Sequence, residues 1–293
     1  MRPDDWHLTH DVDDFLVRAE GFLRPRLALH TTLLTVADKL QTRGADAYGD
    51  EAPAFGRLER AGETIGTFHR LAGGRLFIAA LSPEHAESLA LRMKGLGHSL
   101  PGVTGDHNAV TAFAEAWQRL TGATPTLGIR LGLYRLGTLT PMDPFPQGRG
   151  RLLGEQDREQ LMFWLRGFAT DVQEDVTIDA GSWASTRFAD KHYTFWETPD
   201  GTPVSLAGST SMVSHMVRVD PVYTPAHLRG RGYGGAVTVE VTRAALAAGA
   251  TDVVLFTNAA NPTSNALYQR LGYEPVTNIS VYDFAYRTDP EGS

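Results

Sequence analysis

The stretch "VYTPAHLRGRGYGGAV", from Val222 to Val237, decides the fold. It places four glycines and two arginines between an apolar strand and a helical pattern. Glycine weakens a helix start, and cations there oppose the positive end of the helix dipole. A bound anion would offset both effects, because the N–H groups of the first helical turn attract negative charge. We therefore expect an anion-binding loop followed by a helix over 231–248.

Two other interpretations of this loop were weighed. Gly230, Gly232 and Gly235 match the dinucleotide pattern G-x-G-x-x-G, and Asp252 lies near the distance expected for a ribose contact. The pattern should follow a strand directly, but "TPAHL" intervenes, and too few residues follow for a doubly wound sheet. A plain helix start with solvated arginines is the other alternative, although a turn needs only one such glycine.

The residues from Arg229 to Gly234 resemble the (Q/R)-x-x-G-x-(G/A) motif of the GNAT acyltransferases. The surrounding order is also similar to that family: a strand, the loop, a long helix, the strand "DVVLFTN" and then "NPTSNALYQRLGY". The resemblance covers roughly 151–287. It implies an α/β (α+β) fold in which a central, mostly antiparallel sheet is flanked by helices.

The chain as a whole repeats one element order, which we interpret as a tandem of two related halves. Each half has a helical start, a meander of strands, a helix, and further α and β segments. The segment "TPMDPFPQGRGR" is rich in proline and glycine and predicts a linker. We expect a degenerate, non-catalytic GNAT-like domain over 1–139, the linker over 140–151 and a catalytic domain over 152–293. In the first half, "LFIAAL" runs into the helix "SPEHAESL" without a glycine loop.

The resemblance implies that coenzyme A binds at the loop. Glycines would let the pyrophosphate approach the backbone, and the arginines could add charge-assisted contacts. The strand ending "VDPVYT" would offer backbone groups to the pantetheine arm, and Pro221 fits a bulge or an edge. Asn261 would cap a helix and also contact the arm. The expected donor-binding residues are Val222, Tyr223, Thr224, Arg229, Gly230, Arg231, Gly232, Tyr233, Gly234, Gly235, Asn261, Ser264, Asn265 and Tyr268.

Tyr268 is the candidate catalytic acid, because it matches the position of the family's catalytic tyrosine and a phenol can protonate a departing thiolate. The alternative is a core tyrosine. His215 is the candidate base on the strand before the loop, although a lone strand histidine is more often structural. Glu174 and Asp175 end a helix that could border the acceptor site. Trp183 falls in "AGSWASTRFAD", which we predict to be helical.

Composition excludes several chemistries. The chain has 293 residues, 42% hydrophobic content and no cysteine, which rules out a cysteine acyl-enzyme, disulfides and cysteine-ligated metals. We expect no metal. The net charge of -7 disfavours nucleic acid as a partner. The acidic N-terminus predicts no signal peptide, and the lack of a long apolar run predicts no membrane span. We therefore expect a cytoplasmic protein. We expect it to be a monomer or a homodimer.

Together these features predict an acetyl-CoA-dependent N-acetyltransferase. It would move an acetyl group to a primary amine of a small molecule by direct attack in a ternary complex. Two alternatives stay open: another donor, such as a longer acyl-CoA or an aminoacyl-tRNA, and a non-catalytic CoA-binding regulatory module. The sequence does not identify the acceptor, which could be a protein N-terminus, an amino sugar, an antibiotic or an amino acid.

Overall fold

The computed structural model describes residues 5–79 and 81–287, and these form two compact units. Unit 1 contains the chain up to Leu133, together with Asn258–Ala260 and the residues from Val276 onward. Unit 2 contains Tyr134–Thr257 and Asn261–Pro275. No helix among the described residues combines the length and the apolar character that crossing a membrane requires.

Unit 1 is a mixed sheet with helices. Its strands follow the order β1–β2–β3–β4–β5–β12–β6, in which β4 and β5 are parallel and the other described pairs are antiparallel. The elements that begin in this unit are β1 (Asp5–Thr9), α1 (Val12–Leu23), α2 (Thr31–Arg43), β2 (Ala54–Arg60), β3 (Glu63–Arg70), β4 (Leu76–Ile78), α3 (Pro83–Gly95), β5 (Gly102–Asp106), α4 (His107–Thr121) and β6 (Thr124–Leu136).

The helices of unit 1 form where their capping and periodicity predict them. The Ser82 side chain caps α3 by accepting a hydrogen bond from the His85 N–H, and Pro83 occupies the first turn. Phe113 and Trp117, one turn apart on α4, are fully buried. This apolar stripe therefore forms the core against the sheet.

The strands of unit 2 follow the order β11–β10–β9–β8–β7, with β10 and β11 parallel and the other pairs antiparallel. The elements that begin in this unit are β7 (Arg149–Leu152), α5 (Arg158–Asp171), β8 (Lys191–Glu197), β9 (Pro203–Thr210), β10 (Met216–Tyr223), α6 (Tyr233–Ala247), β11 (Asp252–Asn258), α7 (Pro262–Arg270) and β12 (Tyr273–Ala285).

The sheet of unit 2 is buried on both faces. Successive side chains on a strand point to opposite faces, and on β8 Phe195 packs in a cluster with α5 whereas Trp196 packs in a cluster with α6 and α7. On β10, Val217 and Val219 belong to the α6 cluster. The side chain of Asp220 therefore projects to the α5 face.

The two halves repeat the same element order, and the predicted fold class is confirmed. Each half runs strand, helix, three antiparallel strands, helix, parallel strand, helix, strand. The last strand of each half is divided between the two units, which a simple duplication would not give. Val276–Ala285 of β12 lies in unit 1 beside β5, and Tyr134–Leu136 at the end of β6 lies in unit 2.

The linker expected over 140–151 is packed against unit 2. Its last residues form β7, which pairs with β8. Phe145 packs edge-on against Trp196, with ring centroids 5.5 Å apart. The Thr140 N–H donates to the Leu271 carbonyl at 3.0 Å. Prolines and glycines thus mark an irregular but packed segment.

Other local expectations were wrong. "AGSWASTRFAD" contains only a short 3₁₀ turn, Trp183–Ser185, because its glycine, serines and threonine favour turns over a helix. The short strands β1, β5 and β7 were not predicted. The helical pattern over 12–44 is divided by a 3₁₀ segment, Arg24–His30, which holds Pro25 in its first turn.

Candidate functional site

The glycine loop joins the end of β10 to the start of α6. Gly232 is the N-cap of α6, with a positive φ of 81°, and no side chain caps the first turn. The first N–H groups of a helix have no intrahelical partners. The loop therefore offers the uncapped helix start that the sequence predicts, and an anion would satisfy it.

The four glycines of the loop serve different purposes. Gly230 and Gly232 both have positive φ, a conformation that favours glycine. A Cβ on Gly230 would meet no atom within 4 Å, whereas a Cβ on Gly232 would lie 2.9 Å from the Pro146 side chain. A Cβ on Gly235 would collide with Met142. The missing Cβ atoms therefore serve the protein's own packing at two positions and leave open space at Gly230.

The two arginines of the loop also differ. The Arg229 Nε donates to the Thr224 carbonyl at 2.9 Å, and its guanidinium pairs with Asp171 at the end of α5. Arg231 is exposed and has no polar partner among the described residues. Arg229 thus holds the loop against α5, and Arg231 is the cation that can reach a bound anion.

The strand before the loop separates from its neighbour. The β10–β11 ladder ends at the pair Val219–Leu255, so the last residues of β10 have no ladder partner on that side. A bulge on the other side shifts the β9–β10 register between Val219 and Val222. Gly208 on β9 faces the bulge, and a Cβ there would lie 2.6 Å from the Asp220 carbonyl oxygen. Val222 and Tyr223 therefore pair with β9 but not with β11.

Tyr268 lies on α7 in the core of unit 2. Its ring packs against Tyr273 with centroids 6.1 Å apart, and only 8% of the residue is exposed. Its hydroxyl makes no hydrogen bond to any described residue. Burial raises the pKa of the Tyr268 phenol, and Tyr273 and Asp220 raise it further. The phenol therefore stays protonated at neutral pH, as a proton donor must.

The polar residues of α7 carry structural contacts. The Asn261 side chain caps the helix by accepting from the Ser264 N–H at 3.1 Å. The Asn265 side-chain oxygen accepts from the Tyr134 hydroxyl at 3.4 Å. Tyr233 begins α6 and packs in part on the core of unit 2. The Asn261 capping that was expected is present.

His215 does not reach this site. It precedes β10, in a turn where its φ is +60°, and its side chain is exposed. Its carbonyl accepts from the Thr251 N–H at 2.8 Å. The loop follows the other end of β10, about 25 Å away at the rise of an extended strand. The expectation that His215 lies on the strand as a base is therefore corrected.

Sequence reasoning missed a cluster of charged side chains on the α5 face. It consists of Glu174, Arg187, Lys191 and Asp220, drawn from the segment after α5, the start of β8 and the β10 bulge. Asp220 directly precedes Pro221, whose position in a strand does indicate a bulge. That dipeptide was the available signal, but nothing local shows which side chains meet there.

Comparisons with known proteins agree with this geometry. A family model described as FR47-like protein matches residues 212–281. No curated protein sequence matches the chain.

Solved structures match nearly the whole chain. A GCN5-related N-acetyltransferase from Sphaerobacter thermophilus is 14% identical with a TM-score of 0.55, covering 96% of each chain. A GNAT acetyltransferase from Colwellia psychrerythraea is 10% identical with a TM-score of 0.54, covering 96% of this chain and 100% of that one. A tandem GNAT protein from the clavulanic acid biosynthesis pathway is 12% identical, also with a TM-score of 0.54, covering 97% and 100%. The chain has the GNAT fold, in tandem.

Proposed function

We propose that this protein transfers the acetyl group of acetyl-CoA to a primary amine of a small molecule. One observation carries the proposal: the β10–β11 ladder stops at Val219–Leu255, and the chain then runs through the end of β10 and the glycine loop into the uncapped start of α6. Unpaired strand groups and an anion-binding helix start thus adjoin in unit 2. Unpaired strand groups suit the amides of pantetheine, and the helix start suits a pyrophosphate.

The donor would be held by residues of three elements. The backbone of Val222–Thr224 faces the amides of the pantetheine arm. The N–H groups at the start of α6, with Arg231, bind the pyrophosphate, because charge-assisted hydrogen bonds are the stronger ones. Asn261 keeps its side-chain NH₂ for the arm, since its oxygen caps α7.

Acyl transfer then needs a neutral amine and a proton for the leaving group. The amine attacks the thioester carbonyl directly, because the sequence has no cysteine to form an acyl-enzyme. The C–S bond breaks, and the phenol of Tyr268 donates its proton to the departing thiolate. The nitrogen loses its own second proton, which restores the phenol. Positioned acid catalysis of this kind contributes about 10²–10⁴-fold.

A non-catalytic CoA-binding module is the second candidate function. The uncapped helix start would serve a sensor equally well. The hydroxyl of Tyr268 argues for the enzyme, because it makes no hydrogen bond to any described residue and is therefore available to a ligand. A longer acyl-CoA is the main alternative donor.

The experiment has two stages. Calorimetric titration of CoA tests donor binding, with Arg92→Ala, an exposed arginine on α3, as the control for Arg231→Ala. Thiol release from acetyl-CoA is then measured with an arylalkylamine, a polyamine, an amino acid and an amino sugar. We expect Arg231→Ala to weaken CoA binding and Arg92→Ala to leave it unchanged. We also expect turnover with at least one amine. CoA binding without turnover on any amine or donor would favour the module, and no CoA binding would overturn both.

A further inference from the structure

Unit 2 contains a buried lysine whose partner lies at the β10 bulge. The side chain of Lys191 is 5% exposed, and its ammonium pairs with the Asp220 carboxylate. Arg187 donates to the same carboxylate at 2.7 Å and pairs with Glu174 at 2.6 Å. Burying such an ion pair gives little net stability, because desolvation offsets the attraction. The fold alone therefore does not account for it.

The pair lies beside the catalytic elements. Asp220 projects to the α5 face of β10, opposite α6, and it immediately precedes the residues proposed to bind pantetheine. Its charge also acts on the phenol of Tyr268, after the larger effects of burial and of Tyr273.

One oxygen of this carboxylate is open. The hydrogen bonds from Arg187 and Lys191 both end on Oδ2 of Asp220. Among the described residues, Oδ1 has no hydrogen-bond partner. An ionised carboxylate has acceptor sites on both oxygens. Oδ1 is therefore able to receive a second ammonium group.

An amine could approach Lys191 through a cavity of about 290 Å³. Leu153, Leu161, Trp183 and Tyr193 line this cavity together with Lys191. Apolar walls with a few polar groups suit a small organic molecule. Leu161 and Tyr193 of this lining belong to the hydrophobic cluster that packs on α5, and Lys191 connects the cavity to Asp220 through its ion pair.

The choice of lysine at this position is itself informative. The sequence uses 27 basic residues, of which only Lys39, Lys94 and Lys191 are lysine. Arginine would make the stronger pair with a carboxylate, but it cannot lose its proton in a protein. Of these two side chains, only lysine can act as a proton acceptor at position 191.

The surroundings of Lys191 make its ammonium easier to deprotonate. Burial lowers the pKa of Lys191 to about 8, with Asp220 opposing the shift and Arg187 and Arg218 adding to it. Glu174 and Asp190 are the remaining charged groups on the segment packed against this site. A base that titrates near the working pH is the most effective one.

We propose that Asp220 binds the ammonium group of the acceptor and that Lys191 accepts the proton which the acceptor must lose. This proposal rests on the proposed acyltransferase function. The neutral Nζ of Lys191 takes one proton from the acceptor ammonium, relayed across the Asp220 carboxylate, and becomes an ammonium. The acceptor is left as a neutral amine with a lone pair, and Lys191 returns its proton to solvent after product leaves.

The first test observes Lys191 without any reaction. Selective ¹³C labelling of lysine gives three side-chain signals in the full chain, and Lys191→Arg identifies the signal of Lys191. We expect that signal to titrate near pH 8 and the other two near the ordinary lysine value, about 10.4. Titration of all three near the ordinary value would overturn the proton-acceptor role, whether or not the protein acetylates any amine.

The second test separates chemistry from structure. Lys191→Arg keeps a cation on Asp220, so CoA affinity should stay within about twofold. Turnover of an alkylamine should fall about 10²–10⁴-fold. A weakly basic primary amine, already neutral at pH 7, should lose far less because it needs no deprotonation. Lys94→Arg is the matched control and should change neither rate.

The outcomes distinguish the two proposals. Equal losses with both amines would assign Lys191 a structural role and leave the proposed function standing. Unchanged turnover in Lys191→Arg would overturn the inference alone. A wild-type protein that turns over no amine with any donor would overturn both.

Discussion

At the scale of single residues, position rather than residue type decides the role. Arg229 and Arg231 lie two residues apart in the loop, yet one is tied to Thr224 and Asp171 and the other is exposed. The tyrosines differ in the same way. The Tyr273 hydroxyl bonds with Thr242 at 2.6 Å, whereas the Tyr268 hydroxyl has no partner among the residues that the structure describes.

The contrast between the two tyrosines gives a prediction for Tyr268→Phe. The ring packing is kept, so CoA affinity should stay within a few-fold. Only the proton donor is lost, so kcat should fall about 10²–10⁴-fold with little change in KM. Steady-state kinetics with acetyl-CoA and the best amine measure this.

Tyr273→Phe is the matched control, because it removes a neighbouring hydroxyl that has a structural partner. We expect it to lower the free energy of unfolding by about 1 kcal/mol and to preserve turnover. Wild-type turnover in Tyr268→Phe would make Tyr268 a core residue and remove it from the mechanism.

At the scale of elements, β10 organises the site. Its bulge and its early separation from β11 both occur at Val219–Val222, and the uncapped start of α6 follows after the glycine loop. The loop that connects β10 to α6 is held by backbone conformation and by the packed segment that contains Met142 and Pro146. Substitutions can therefore separate the effect of the loop's backbone conformation from the effect of its packing.

Gly230→Ala and Gly232→Ala test that separation. Both positions have positive φ, which costs about 1–2 kcal/mol for a residue with a Cβ. Only the Cβ at 232 also meets Pro146. We expect Gly232→Ala to lower the free energy of unfolding more than Gly230→Ala does, as measured by urea denaturation. Equal losses of unfolding free energy in the two variants would show that the segment with Pro146 moves aside at no cost. Unchanged CoA affinity in both variants would contradict the pyrophosphate site.

A second element-scale prediction concerns the edge strand β7. Arg151 pairs with Glu197 at 2.5 Å and with Asp157 at 2.8 Å, and the Glu197 side chain is 5% exposed. Removing Arg151 leaves a buried carboxylate without its main partner. We expect Arg151→Ala to lower the free energy of unfolding by about 3 kcal/mol.

Arg149→Ala is the control, because Arg149 approaches the same Glu197 at 3.6 Å from a side chain that is 74% exposed. Its loss should cost less than about 1 kcal/mol in chemical denaturation. Comparable losses in the two variants would mean that Glu197 does not depend on Arg151.

At the scale of the whole molecule, the repeated halves differ in chemistry. Unit 2 has the glycine loop, the bulge and the charged cluster. Unit 1 has the same element order, but a side-chain cap starts α3, the helix that corresponds to α6. Unit 1 instead buries histidines. His69 is stacked 4.7 Å from Phe77, with its Nε2 lacking a hydrogen bond.

These histidines predict acid sensitivity. Burial lowers the pKa of His69 to about 3, and burial, with Arg26, lowers that of His30 to about 4. The unfolded chain, with a pKa near 6.5, binds more protons, so stability is complete above about pH 6.5 and falls as pH drops toward 4. The loss approaches about 1.4 kcal/mol per pH unit for each histidine. Urea denaturation from pH 7.5 to 4.5 measures it.

His69→Phe is the matched variant, because it keeps an aromatic ring beside Phe77 and removes the titrating group. Its stability relative to wild type should rise as pH falls below about 6.5. A difference that does not change with pH would contradict the role of His69.

Much of this protein is predictable from local sequence. Glycine and proline positions, helix caps and apolar periodicity act over a few residues, which is why the helix "SPEHAESL", the helix after the glycine loop and the capping by Asn261 were predicted. The same locality explains the failures. A short strand such as β7 has too few residues for a pattern, and the segment around Trp183 has no periodicity to detect.

The sequence by itself determined the fold class, the repeated order and the glycine loop, because each depends on neighbours along the chain. Only the tertiary structure decided that His215 lies at the far end of β10, that Arg229 is tied to Asp171, and that Lys191 meets Asp220. It also placed the end of β12 beside β5. The physical reason is that strand pairing and ion pairing join residues distant in sequence, and no local propensity records which partners will meet.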